Sequence, residues 1–189
     1  SGAITFTTHN TGLSSTSTKL AEALANSNNY SGAVTISNAD YTLDQLVTIN
    51  NGTSGAITLD TPGTGLSGTS TNLALALAGT INHSGAVTVS NNDYTVTQLK
   101  TINDSTAGNI TFTHNDTNLT GSTADLLDAL AGTTNYAGNL TINTASTVAQ
   151  HATLTADTTG SISSYSLSDT SSAISGASSS LLNGASSIT

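Results

Sequence analysis

Three observations predict an α/β solenoid, a stack of strand–short helix coils with one parallel β-sheet wall. They are a tandem repeat, a strand signature that opens every coil, and a helix-start signal that follows it. Residues 1–53 open with SGAITFTTHNTGLSSTSTKLAEALANSNNY, residues 54–106 with SGAITLDTPGTGLSGTSTNLALALAGTINH, and residues 107–158 with AGNITFTHNDTNLTGSTADLLDALAGTTNY. Residues 159–189 form a diverged half-unit. Self-similarity at such a period marks an architecture in which each repeat buries its apolar face only against its neighbours. The 189 residues therefore read as a single solenoid.

Each unit divides into a long and a short coil. The long coil opens with Gly2-Ala-Ile-Thr-Phe6 and the short one with Gly32-Ala-Val-Thr-Ile36; the signature returns from Gly55, Gly85, Gly108 and Gly138, with an echo at Gly160. Alternation of apolar and polar residues at this point predicts a half-buried strand. Ile4, Val34, Ile57, Val87, Ile110, Leu140 and Ile162 would form one inward column, and Phe6, Ile36, Leu59, Val89, Phe112 and Ile142 a second. Thr5, Thr35, Thr58, Thr88, Thr111 and Thr141 would face outward as one unbroken ladder, extended by Ser163.

Helices follow the strands. In the short coils Thr42 and Gln45, Thr95 and Gln98, and Thr147 and Gln150 have the spacing of a capping box, in which hydroxyl and amide satisfy orphan donors at a helix start. In the long coils Leu20 and Leu24, Leu73 and Leu77, and Leu126 and Leu130 sit four apart and share a helical face. Ser122 to Asp125 reads as another N-terminal cap. Short connections favour stacking over a doubly wound sheet. An all-β parallel β-helix is the runner-up, because the helices are short. His151 stands where Leu46 and Leu99 stand in the earlier units, so the stack is expected to loosen near it.

Composition bounds the function. There are two Lys plus Arg residues against 11 Asp plus Glu, no Cys, and a net charge of −9. A chain with so few cations has no track for phosphates, which argues against nucleic acid as a partner. The negative charge argues against anionic membranes, and no apolar run is long enough for membrane insertion. No nucleophile–base–orienter set is apparent, so no catalytic residue is assigned and no enzyme is expected. The histidines, His9, His83, His114 and His151, fall at unrelated repeat positions and read as scattered turn or surface residues. The loop pairs Asn38 with Asp40 and Asn91 with Asp93 offer oxygen ligands of the kind Ca²⁺ takes, although the third unit has Thr144-Ala-Ser146 there. No other cofactor is expected. The Thr ladder has two readings, strand propensity with solubility or a regular hydroxyl surface for contact.

The phrase Thr95-Val-Thr-Gln-Leu-Lys-Thr-Ile-Asn-Asp-Ser-Thr-Ala-Gly-Asn-Ile-Thr is similar to tandem repeats of giant bacterial surface and secreted proteins, notably of cyanobacteria. Ser166-Leu-Ser-Asp169, Ser172-Ala-Ile-Ser and Leu181-Leu-Asn-Gly-Ala-Ser-Ser-Ile-Thr189 resemble a second repeat of such proteins, often found beside calcium-binding nonapeptide arrays. The resemblance implies an extracellular or cell-surface location and a role in an adhesin, a surface filament or a surface layer. The nonapeptide array itself is missing here. The chain opens on a coil start and closes on Ser187-Ile-Thr189, which reads as another strand. Its expected partners are therefore further repeats or copies stacked end to end, with lateral self-association through a repetitive Thr, Ser and Asn surface. The same ladder read as a binding module would take ice, polysaccharide or a neighbouring rod.

Overall fold

A computed structural model describes residues 5, 7–27 and 30–189. Short strands and helices alternate along the whole of it. The first unit contributes β1 (Leu13–Ser15), α1 (Ser17–Leu24), β2 (Val34–Ile36) and α2 (Leu43–Gly52). The second contributes β3 (Ile57–Leu59), β4 (Leu66–Gly68), α3 (Ser70–Leu77), β5 (Val87–Val89) and α4 (Val96–Ser105). The third adds β6 (Ile110–Phe112), β7 (Leu119–Gly121), α5 (Thr123–Leu130), β8 (Leu140–Ile142), β9 (Ala145–Ser146) and α6 (Val148–Asp157). The half-unit adds β10 (Ile162–Ser163), β11 (Ser166–Leu167), α7 (Ser171–Gly176) and α8 (Ser179–Gly184). The first strand signature, with Ile4 and Phe6, falls largely outside the described residues.

The helices start where the capping signals place them. Thr42, Thr95 and Thr147 each accept a bond from the amide of the Gln three residues on, and the Oε1 of that Gln accepts the cap residue's own amide. Ser122 accepts from the Asp125 amide. These helices rule out the all-β alternative. Each helix from α1 to α5 packs on the next, and Leu20, Leu46, Leu73, Leu99, Leu126 and Leu154 from successive helices are buried in one core.

All strand pairs are parallel, but they do not form one wall. The sheets are β1-β2-β3, β4-β5-β6 and β7-β8-β10, with β9 paired to β11. The expected inward column is therefore interrupted. Val34 lies between Leu13 and Ile57, whereas Val87 lies between Leu66 and Ile110. The cause is a mismatch of periods. Paired strands are 21 or 23 residues apart in the first two sheets, while the starts of α1 to α5 are 26 or 27 apart. Each ladder slips against the helix stack, and after three strands the second strand of a long coil starts a new one.

The repeated glycine of the strand signature has a steric cause. Gly55 lies against the Gly32 carbonyl, Gly108 against that of Gly85 and Gly160 against that of Gly138, so a Cβ at any of the three would overlap the neighbouring backbone. A threonine closes each contact. Thr53 and Thr158 donate to the carbonyls of Gly32 and Gly138, and Thr53, Thr106 and Thr158 accept the amides of Gly55, Gly108 and Gly160.

Candidate functional site

The outward hydroxyl ladder is present as separate rows rather than as one. Thr35 pairs with Ser14 and Thr58, Thr88 with Ser67 and Thr111, and Thr141 with Thr120 and Ser163. Thr58 and Thr88 belong to different sheets, so the sequence of contacts expected from Thr5 to Thr141 is broken between units. Thr5 is exposed and lies in no strand. In the middle row the hydroxyls touch, with Thr88 Oγ1 3.2 Å from Thr111 Oγ1. The neighbouring row ends on an apolar residue. Ile81 follows Thr80, the parallel partner of Ile57, and is 67% exposed.

The loop acids and amides are engaged in capping. Asn38 Oδ1 accepts the Ser17 amide at the start of α1, and its NH₂ group donates to Ser17 Oγ and to Asp40. Asn91 does the same for Ser70 and Asp93 one unit later. The bond from Asn38 holds the Asp40 carboxyl below its ordinary range. Asn38 thus spends both N–H groups and one oxygen lone pair on these contacts. The third unit reaches the same end with Thr144 Oγ1, which accepts the Thr123 amide at 2.9 Å, and Asp169 accepts the Val148 amide at 3.0 Å. All four partnerships span 21 residues. Among the described residues no group of three or more His, Asp or Glu side chains gathers around a point.

Beneath these caps runs a buried polar seam. Ser17 Oγ donates to Gln45 and Ser70 Oγ to Gln98, the same Gln residues that complete the capping boxes, and Ser17 and Ser70 are fully buried. Gln45 and Gln98 in turn donate to Thr18 and Thr71. One loop thus caps the preceding helix and its own. The signal was in the sequence as Ser17 and Ser70 at an equivalent repeat position, but nothing in their type marks burial.

Two histidines depart from the surface reading. His83 is 2% exposed. It replaces Tyr30 and Tyr136, and its Nε2 lies 3.0 Å from the Thr64 carbonyl, where those tyrosines donate to the carbonyls of Thr11 and Thr117. Its Nδ1 meets Thr106 Oγ1 at 2.8 Å. Burial lowers its pKa. His151 is 8% exposed and its ring lies against Tyr165. It is buried because α6 turns the same face inward that carries Leu46 in α2. His9 and His114 are exposed. Among the described residues the one ion pair is Lys100 with Asp128, on the surface between α4 and α5.

The chain matches no family model, no curated protein and no solved structure. No helix among the described residues is long and apolar enough to cross a membrane.

Proposed function

We propose that the chain is a structural repeat segment of an extracellular filament, adhesin or surface-layer protein. In this reading its coils form one solenoid, a stiff rod with a repetitive Thr, Ser and Asn surface for assembly or adhesion, and it carries out no chemistry. The supporting observation is the direction in which the polar side chains point. Asn38, Asn91 and Thr144 each cap the long coil of their own unit from its short coil, and Asp169 caps α6 from the half-unit, so a recurring side-chain bond joins neighbouring coils. Nearest-neighbour bonding of this kind gives length and stiffness by repetition alone.

The natural polypeptide's intact mass, measured on a washed cell-surface extract and on the cell interior, tests the reading. A surface species far above 18.7 kDa is expected. An intracellular species near that mass would overturn it.

A second reading rests on the row Ser67–Thr88–Thr111, where Thr88 and Thr111 are hydrogen-bonded to each other. Rows of fixed hydroxyls suit a module that recognises ice, polysaccharide or a neighbouring rod. Freezing-point depression beyond the colligative value, lost in Thr88→Val with Thr111→Val, would favour the ice form of this reading.

A further inference from the structure

The second unit carries a titratable ring where its neighbours carry phenols. His83 stands at the position of Tyr30 and Tyr136 and is buried as they are. The tyrosine hydroxyls donate to the carbonyls of Thr11 and Thr117, and burial raises their pKa, so neither titrates in acid. His83 Nε2 meets the equivalent carbonyl, that of Thr64, at 3.0 Å.

A carbonyl only accepts, so in the neutral ring the proton lies on Nε2 and Nδ1 holds a lone pair. The atom facing that lone pair, at 2.8 Å, is Thr106 Oγ1, which must turn its single proton toward the ring. The same hydroxyl accepts the Gly108 amide at 3.0 Å. Its proton is thereby withheld from the Gly85 carbonyl, 3.4 Å away. In the first and third units the corresponding threonines stand beside a tyrosine and not an imidazole. Thr53 reaches the Gly32 carbonyl at 3.0 Å and Thr158 the Gly138 carbonyl at 2.8 Å. The longest of the three distances falls at the joint that contains the histidine.

We propose that His83 and Thr106 form an acid-responsive joint between the second and third units, in which protonation of the ring hands the threonine proton to the Gly85 carbonyl. On taking up a proton, Nδ1 becomes a donor to Thr106 Oγ1, and the hydroxyl rotates with its own proton toward Gly85. Each nitrogen of the imidazolium then faces an acceptor, and Thr106 accepts two bonds and donates one, its full capacity. Acid thus gives this joint a bond that the joints at Gly32 and Gly138 hold at every pH. Burial disfavours the charge and lowers the His83 pKa, and the bond to Thr64 acts against that. The carboxylates on the surrounding segments are Asp60, ahead of the Thr64 loop, and Asp104, near the end of α4; both are exposed. The Tyr41 phenol, beside Thr64, has its pKa raised by burial and stays neutral. The device needs only a histidine already held at both nitrogens, the side chain whose charge changes most readily near neutral pH.

The test is a titration of the isotope-labelled full chain from pH 8 toward pH 4, following imidazole nitrogens and backbone carbonyl carbons by NMR. At pH 8, His83 should show a proton on Nε2 and none on Nδ1. As the ring titrates, the Gly85 carbonyl carbon should move downfield with the same midpoint, the response of a carbonyl that gains a donor. The Gly32 and Gly138 carbonyls should stay in place. His83→Tyr, which copies the neighbouring units, frees Thr106, so the Gly85 carbonyl should hold its acid position at every pH. Thr106→Val leaves the ring able to titrate and should leave the Gly85 carbonyl unmoved. A proton on Nδ1 at pH 8, or a ring that stays neutral until the chain unfolds, would overturn the joint. So would a Gly85 carbonyl that does not follow the ring, or one that still moves with pH in either folded variant.

Discussion

The second unit and the terminal half-unit use the same local signals and reach different degrees of burial. In α3, Ser70, Leu73, Ala76 and Leu77 are buried, whereas α7 and α8 bury no residue. The caps do not differ. Thr69 accepts the Asn72 amide, Thr170 the Ala173 amide and Ser178 the Leu181 amide. Strand pairing also persists to the end, where Ile188 bridges Leu167 in parallel. Capping and pairing are satisfied by nearby backbone, but burial requires a neighbour of matching shape. Where His151 replaces leucine, that match changes and the helix stack opens. In a stack held by nearest-neighbour contacts, stability should therefore be lower at residues 159–189 than at residues 54–130.

Leu99→Ala should show the largest effect. Leu99 is fully buried in α4, and truncating such a leucine costs about 2–5 kcal/mol. Leu181→Ala, at a half-buried site in α8, should cost less than about 1 kcal/mol globally while speeding amide exchange through residues 159–189. Urea unfolding with hydrogen exchange separates the two. Equal losses of midpoint would remove the contrast between the regions.

The polar seam supplies the next test. Asn91→Ala removes the acceptor for the Ser70 amide and one of two partners of Ser70 Oγ, leaving the amide of a buried residue without a partner. The expected cost is about 1–3 kcal/mol. A double-mutant cycle with Ser70→Ala should give a coupling of about 0.5 kcal/mol or more. An additive pair would mean that the loops cap their own turns and not the neighbouring coil.

How much of this was legible in the sequence depends on the range of the interaction. The capping boxes and the Leu20–Leu24 type pairs are written within a few residues, and they fold as written. Alternation in the strands likewise fixed which residues turn inward. The register between strands does not follow from the repeat, because residues at equivalent repeat positions are not all adjacent. Thr58 and Thr88 are equivalent but sit in different sheets, a result of the unequal steps of strands and helices. Asn38 and Asn91 stood out for their position, and their oxygens suggested a cation. Their bonds to Ser17 and Ser70, 21 residues away, are not legible, because that spacing matches neither coil length. His83 stands where Tyr30 and Tyr136 stand and is buried as they are, which its residue type did not signal.

Both buried histidines make stability depend on pH. Burial lowers their pKa in the folded chain, so the unfolded chain takes up protons first as pH falls. Stability is then full above the ordinary histidine value of about 6.5 and is lost as pH drops through it toward the lowered folded values. The urea midpoint should fall between pH 7.5 and pH 5. His83→Tyr, which copies Tyr30 and Tyr136, should reduce that fall, and His151→Leu should remove a further part. An unchanged slope in His83→Tyr would mean that His83 is hydrated in the folded chain.

Asp157 carries the smallest predicted effect. It ends α6 at the position held by Gly52 in α2 and Ser105 in α4. One carboxylate oxygen is buried without a partner, and burial raises its pKa. A raised value favours the folded state below the unfolded pKa of about 3.9, and that advantage is lost as pH rises through the folded value. At neutral pH the charged carboxylate is a cost, held below about 1 kcal/mol because the group is partly exposed and screened. Asp157→Ser should therefore raise the urea midpoint slightly at pH 7 and leave it unchanged near pH 3.5. His151→Leu should also stabilise at pH 7, since it removes an unsatisfied imidazole from α6. Two stabilising reversions on α6 would mean that the third unit departs from its predecessors at a cost in stability. If both variants weaken the fold, the departures are repacking, and α6 differs from α2 and α4 only in how it fills the same space.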